Sequence, residues 1–459
     1  MVQISVMPIL TDSKEFIQNE FANLNLGDKR LNRRVLKVAT TINAGPSFSI
    51  PAMTNGNDGD LKAIYRFFQN GKVNDQNILQ SHFLNTIERM GAYPGKILLL
   101  NDSCFVSPTK NCEGSLSRGK GKDNCVRTHY CLAVSEDGNH LFGMLSFHVL
   151  TDPINKRYPQ LRNESDVWIM TAADSIELII TSSQGERLLS RCLFVADREG
   201  DEFELLDFLA KNNLGFIIRS QYDRQSIFEN RQGTLDQFED DSKKHGEAYV
   251  IKTRVDKTIK EVKVKRSVLR NISILPPTNI RKEHAPLDVN VVLVKNIESE
   301  ETEIKWRLLT SEKVDNAAES LFVVLAYSQR WKIEEVNKGA KTGVKVEKRQ
   351  FTELEHFIPF LAMAFVVAWR IVGLRTVVEI APETLIKEAF TPDEVSYMKI
   401  QAKELELPMK NVKDGLLLIA RLGGFTGRYD RPGWQILWQG WIKFYERVSG
   451  FTLARKAFS

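Results

Sequence analysis

The sequence predicts an α/β protein in which a sheet-forming middle, carrying a β-rich insertion, lies between helical segments at the two ends. Three observations carry that reading. Apolar residues recur at helical spacing over 12–42 and 60–90. From Lys96 short apolar runs alternate with acidic turns and helical stretches, the pattern of a sheet with its strands buried on both faces. From about 382 to the end helical spacing returns, broken at Gly423-Gly424. At 459 residues, 42% hydrophobic and 26% charged, the chain is neither disordered nor collagen-like. It is long enough for about three folding units of roughly 150 residues each.

The elements follow in order. The two N-terminal helical stretches are separated by the polar, turn-prone AGPSFSIPAMTNGNDGD at 44–60. KILLLND (96–102) reads as a strand, and CLAVSEDGNHLFGMLSF (131–147) as two strands joined by a hairpin at Glu136-Asp137-Gly138-Asn139. RCLFVADREGDEFELLDFLA (191–210) gives a strand, an acidic turn and a helix, and LGFIIRS (214–220) returns as a strand. Between about 222 and 312 the period drops to two, in YVIKTRV, EVKVKRSVL, VNVVLVKNI and EIKWRLLTS, which predicts a mostly antiparallel insertion. Helical spacing resumes at Ala317 and runs, with room for breaks, to about Leu374. The chain divides accordingly at 1–72, 73–376 and 377–459, with no internal repeat and no low-complexity tract.

Composition excludes several classes. Cys104, Cys112, Cys125, Cys131 and Cys192 are sparse and odd in number and include no C-x-x-C pair, which argues against a disulfide framework or a zinc site and fits a reducing cytoplasm. The longest unbroken apolar run, Phe357 to Trp369, is 13 residues and contains Pro359, so a buried helix is expected rather than a membrane span. No secretory signal is legible in MVQISVMPILTDSKEF. The net charge is +5 and is carried by the ends: nine Lys/Arg against six Asp/Glu over 1–72, and thirteen against ten over 373–459. That balance permits a polyanionic partner without demanding one.

Chemistry points to carboxylates. Asp102 ends the apolar run ILLLN and Asp197 ends LFVA, both at the strand ends where ligands of α/β sheets usually sit. Asp is also a common turn and helix-cap residue, so neither stands alone. A third group lies in YSQRWKIEEVNKGAK, where helical geometry at about 100° per residue gathers Tyr327, Arg330, Glu334 and Lys341 within an arc of about 60°. A solvated face with Arg330 and Glu334 paired four residues apart is the plain reading. The apolar segment that follows argues instead for a packed helix. Two Asp and one Glu suit hard divalent cations, and Arg, Lys and Tyr suit phosphate oxygens.

With these residues in place the chain resembles the cut-and-paste transposases of the DDE class, insertion-sequence-four group. The resemblance runs through LGDKRLNRRVLKVA, IYRFFQN, ILLLNDS, FVADREGDEFELL, FIIRSQYDR, IKWRLLTSE, YSQRWKIEEVNKGAKTG, TPDE and LLLIARLGGF. Its most specific part is Tyr327, Arg330, Glu334 and Lys341, which matches the group's Tyr-Arg-Glu-Lys signature in type and spacing. The resemblance implies a helical DNA-binding domain, an RNase H-like catalytic domain and a helical C-terminal dimerisation domain. It makes Asp102, Asp197 and Glu334 a catalytic triad holding two Mg2+ ions, with Mn2+ able to substitute. It implies nicking, a hairpin intermediate, strand transfer into target DNA and a homodimeric synaptic complex. Trp306 corresponds to an aromatic that stacks on a flipped base, and Arg219 to a DNA-contacting arginine, while Tyr327 and Arg330 grip the neighbouring phosphate.

Duplex contacts are expected from Lys29, Arg30, Arg33, Arg34 and Lys37, a dense basic stretch at helical spacing. Residues 251–270, with eight Lys/Arg against two acids, offer a second track. Trp434, Trp438, Trp441 and Tyr445 recur on one helix face, which reads as core or as a surface that pairs with a second copy. GSLSRGKGK (114–122) lacks nucleotide-loop spacing and reads as a mobile loop. No histidine pair has metal-ligand spacing, and no Ser/His/Asp arrangement is visible. A non-catalytic DNA-binding relic or an inhibitor of transposition is the alternative of a different class, and the intact signature speaks against it. A simple RNase H-like nuclease would not need the flanking helical regions.

Overall fold

Side-chain caps start the N-terminal helices. Asp12 accepts bonds from the amides of Lys14 (2.8 Å) and Glu15 (2.9 Å) and opens α1 (Ser13–Phe21). After α2 (Lys29–Ala44), Asn57 opens α3 (Asp58–Phe68) and Asn74 opens α4 (Asp75–Ala92) in the same way. Such caps satisfy amides that a first helical turn leaves open, each contributing about 1 kcal/mol. The computed structural model describes residues 11–44, 49–54, 56–114, 116–118, 124–255, 258–297, 304–428 and 432–458. Parts of the expected turn at 44–60, of the loop at 114–122 and of the insertion, and the stretch examined for a secretory signal up to residue 10, lie outside them.

The sheet is built around β1 (Ile97–Val106). The predicted hairpin joins β2 (Asn124–Ser135) to β3 (Leu141–Leu150), and β2 runs antiparallel to β1. On the other side β1 runs parallel to β4 (Cys192–Ala196), which runs parallel to β5 (Gly215–Arg219). The order is therefore β3-β2-β1-β4-β5, with α5 (Asp166–Ile180) and α6 (Phe203–Lys211) in the connections around β4.

The insertion supplies β6 (Gln225–Phe228), β7 (Arg231–Thr234), β8 (Tyr249–Val255), β9 (Thr258–Ile274), β10 (Leu287–Asn296) and β11 (Lys305–Thr310), all paired antiparallel. β11 also pairs with β5, Leu308 opposite Arg219, so the insertion continues the main sheet.

Alternation along β1 sends its side chains to two cores. Ile97 and Leu99 join α5 and α6 on one face. Leu98, Leu100, Cys104 and Val106 join the N-terminal helices, α7 (Ala317–Ser328), α8 (Trp331–Lys338) and α9 (Leu354–Ile380) on the other. The helices α10 (Pro392–Glu404), α11 (Val412–Leu422) and α12 (Trp434–Phe458) close over that same core. α9 is 27 residues long and apolar enough by length and composition to cross a membrane, but its apolar window is wholly buried within the protein. The 13-residue run seen in the sequence is only its first half, because the helix continues past buried Arg370, whose guanidinium bonds Asn43 (3.3 Å) and the carbonyl of Thr11 (3.2 Å).

One expectation needs correction. The single helix around 327–341 is two helices and a π turn at Gly339–Gly343. At the junction the amides of Gln329, Arg330, Lys332 and Ile333 each bond three residues back, which tightens the chain between α7 and α8. The π turn is held by the ring of Trp438: a Cβ on Gly343 would lie 2.2 Å from it. The aromatic stripe of α12 is likewise spent inside the chain. Trp438, Trp441 and Tyr445 are buried, and Trp434 lies under Arg375, 4.3 Å from the guanidinium carbon. Of the two readings its spacing allows, the stripe is therefore core.

Candidate active site

β1 does not end at Asp102. Its pairing with β2 continues to Val106 opposite Val126, whereas its parallel pairing with β4 stops at Leu100 opposite Val195. Counted two residues past that last pair, Asp102 and Asp197 fall at corresponding positions, with Asp197 directly after β4. The two aspartates thus stand side by side where adjacent parallel strands part. Asp197 also serves as a cap, its Oδ1 accepting from the amide of Glu199 (3.0 Å) in the turn Arg198–Gly200. That turn is seated on Trp168: a Cβ on Gly200 would meet the indole at 3.1 Å.

Parity on β1 points Asp102 toward α8. Beside it, Tyr130 of β2 reaches the same helix, its hydroxyl 2.8 Å from Asn337 Oδ1 and 3.1 Å from the carbonyl of Ile333. Glu334 lies one turn along α8 from Arg330, whose guanidinium donates to Glu334 Oε1 (2.6 Å) and lies 3.5 Å from Asp102 Oδ2. Arg330 therefore bridges the carboxylates of the strand and the helix. Burial pushes the carboxyl of Asp102 up to about 7; Arg330 opposes this, while Asp197 and Glu334 add to it. Burial disfavours the charge of Arg330, but Tyr327, Asp102, Glu334 and Asp197 together raise its basicity.

Three carboxylates from three elements make an oxygen-only donor set, the chemistry that Mg2+ and Mn2+ prefer. An acid whose charge is disfavoured mainly by burial, and further by its acidic neighbours, is one that a cation would relieve. The residues fit such an ion in kind. They are gathered but not closed into a cage: among the described residues no three His, Cys, Asp or Glu side chains already converge on one point.

Around the carboxylates lies a belt of cations and aromatics. Tyr327 is buried, with burial raising its pKa while Arg330 and Arg219 counter. Arg219 donates to the carbonyl of Lys305 (3.2 Å), and its charge is disfavoured by burial and by Arg198 and Arg330 nearby. Trp306 is 8% exposed and meets Tyr327 edge-on at 5.0 Å, so the aromatic assigned to base stacking is packed in the core here. Lys341, on the π turn, lies 3.7 Å from Glu347, beyond the Arg330 bridge. The sequence reading passes over Arg198 and Tyr130. Arg198 could have been found as the cation next to Asp197. Nothing in a strand buried on both faces marks which aromatic carries a hydrogen bond to a distant helix.

The basic stretch of α2 is an exposed face. Lys29, Arg30, Arg33, Arg34 and Lys37 point outward while Val35, Val38, Ala39 and Ile42 are buried. Arg30 and Arg34 line a groove of about 370 Å3 with Arg66 of α3, where Gly59 and Ala63 leave room. Arg66 is a further cation that the sequence reading did not single out; its spacing from Gly59 and Ala63 was the available signal. Of the second track, Arg266 is buried and bonds Ser320 and the carbonyl of Ala317, while Lys263 and Lys265 are exposed.

Comparison with known families agrees with this geometry. A model described as Transposase DNA-binding matches residues 13–73, the region that contains the α2 face and Arg66. A model described as Transposase DDE domain matches residues 139–369, half of the chain, a range that includes Asp197, Arg219, Trp306, Tyr327, Arg330, Glu334 and Lys341 but begins after Asp102. The chain belongs to the DDE transposases, enzymes that cleave DNA and transfer its strands.

Proposed function

We propose that the chain is a cut-and-paste transposase of the insertion-sequence-four group, similar to the transposon-five transposase, that works as a homodimer on the ends of its element. Its catalytic part, on this reading, is RNase H-like, as the order β3-β2-β1-β4-β5 supports. Asp102, Asp197 and Glu334 would hold two Mg2+ ions, or Mn2+ in their place. Bound there, the ions would supply Lewis-acid stabilisation of the attacking and leaving oxygens.

The chain's own residues align the DNA. Arg330, Arg219 and Lys341 are suited to the non-bridging phosphate oxygens, and the phenol of Tyr327 to a neighbouring one. Trp306 is the platform for an extruded base in a hairpin step. Arg30, Arg33 and Arg34 hold the duplex through its phosphates. The observation that carries the reading is the Arg330 bridge between Asp102 and Glu334, beside the point where β4 leaves β1 just before Asp197.

The test uses labelled duplex carrying the inverted repeats that flank the gene, a supercoiled target plasmid and Mg2+. Nicked, hairpin and joined products are expected from the native chain. Asp197→Asn and Glu334→Gln should bind the duplex as well as the native chain and give none of them. A chain that binds the ends but does not cut in Mg2+ or Mn2+ overturns the proposal and leaves a DNA-binding inhibitor.

A further inference from the structure

Beneath the candidate site, on the opposite face of the sheet from Asp102, lies a buried arginine with three partners from three parts of the chain. Arg127 of β2 is 9% exposed. Its Nε donates to Ser103 Oγ (2.9 Å) on β1, one residue beyond Asp102. One terminal nitrogen donates to Glu164 (2.6 Å), just before α5, and the other lies 3.5 Å from Glu199. Glu199 belongs to the turn that Asp197 caps. Ser103 Oγ is itself 2.8 Å from Nδ1 of His129, a fully buried ring that burial keeps neutral.

We propose that Arg127 is a positioning residue that fixes the turn carrying Asp197 against the strand carrying Asp102. This rests on those aspartates holding a divalent ion. A planar guanidinium has a rigid fork of donors and can hold three groups at set separations, which a lysine cannot. β4 ends at Ala196, so no strand pairing holds Asp197 to Asp102. Their spacing therefore depends on what grips the turn, and Arg127 grips it from below while Trp168 supports Gly200. Partners of this kind, behind the ligands of a site, typically change metal affinity by about 10–100-fold when removed.

The probe is Mn2+ itself, titrated into the full chain and followed by electron paramagnetic resonance, with binding to a labelled end duplex and the thermal midpoint measured alongside. Arg127→Met is expected to weaken Mn2+ binding by about tenfold or more. Glu199→Gln is expected to weaken it less, and the double variant should be no weaker than Arg127→Met alone, since both act through one contact. Duplex binding should be unchanged in all three. Should Arg127→Met fail to fold, Glu199→Gln, whose backbone N–H still donates to Asp197 Oδ1, decides the matter by its Mn2+ affinity. Asp197→Asn separates the two ideas. If it abolishes Mn2+ binding while Arg127→Met and Glu199→Gln stay within twofold of the native chain, the positioning role is wrong and the metal site stands. If Asp197→Asn binds Mn2+ normally, the metal site falls and the positioning role with it.

Discussion

Trp306 shows how one residue can serve two readings. Its ring is buried against Tyr327, so it already has an apolar partner, and a base could reach it only by displacing that contact. Trp306→Leu keeps an apolar side chain in the space but removes the flat surface, a loss of about 1–3 kcal/mol if a base stacks there. Hairpin formation should then fall by about one to two powers of ten while first-strand nicking persists. Equal loss of both steps in a gel assay would make Trp306 a core residue only. Among single residues the sequence was most informative at Glu334 and Arg330, whose separation of four places them together on a helix wherever it ends. It was least informative at Arg127 and Tyr130, whose partners are remote in the chain.

Among elements, the hairpin at 136–139, the strand at 97 and the capped helices of the N-terminal region were legible because turn chemistry and short-range period decide them. The break between α7 and α8 and the π turn after it were not, and the π turn depends on packing against α12, about a hundred residues away. That packing can be measured. Gly343→Ala places a methyl within contact of the Trp438 ring, so either the indole or the turn must move. A loss of about 1–3 kcal/mol is expected, read from the urea midpoint. An unchanged midpoint would mean that the ring yields freely and that Trp438 does not hold the turn. The junction also explains why the aromatic stripe could be mistaken for a docking face: its periodicity is that of any buried helix side, and only the structure shows that α11 and the π turn cover it.

Across the whole molecule, the helical ends and the sheet share one core. Among the buried groups, Glu20 of α1 joins the N-terminal helices to the sheet, paired with Arg89 and His82 of α4; the amide of Met144 on β3 donates to His82 Nε2 (2.9 Å). The exposed α2 face is thereby held by α1 and α4 in a fixed relation to the sheet. The sequence showed a basic region, a sheet and a carboxylate-bearing helix as separate stretches; it could not show that they pack as one body. It also left Asp102 supported mainly by a family resemblance, and that aspartate precedes the residues matched by the DDE domain model. Asp102 is thus the most exposed point of the account, and Asp102→Asn is its most direct test, because the change keeps the shape of the side chain and removes its charge. Cleavage of a flanking-repeat duplex in Mg2+ should fall by about three powers of ten or more, with binding of the same duplex unchanged in a gel shift. Cleavage within tenfold of the native chain would contradict the placement of Asp102 beside Asp197 and Glu334 as the catalytic centre.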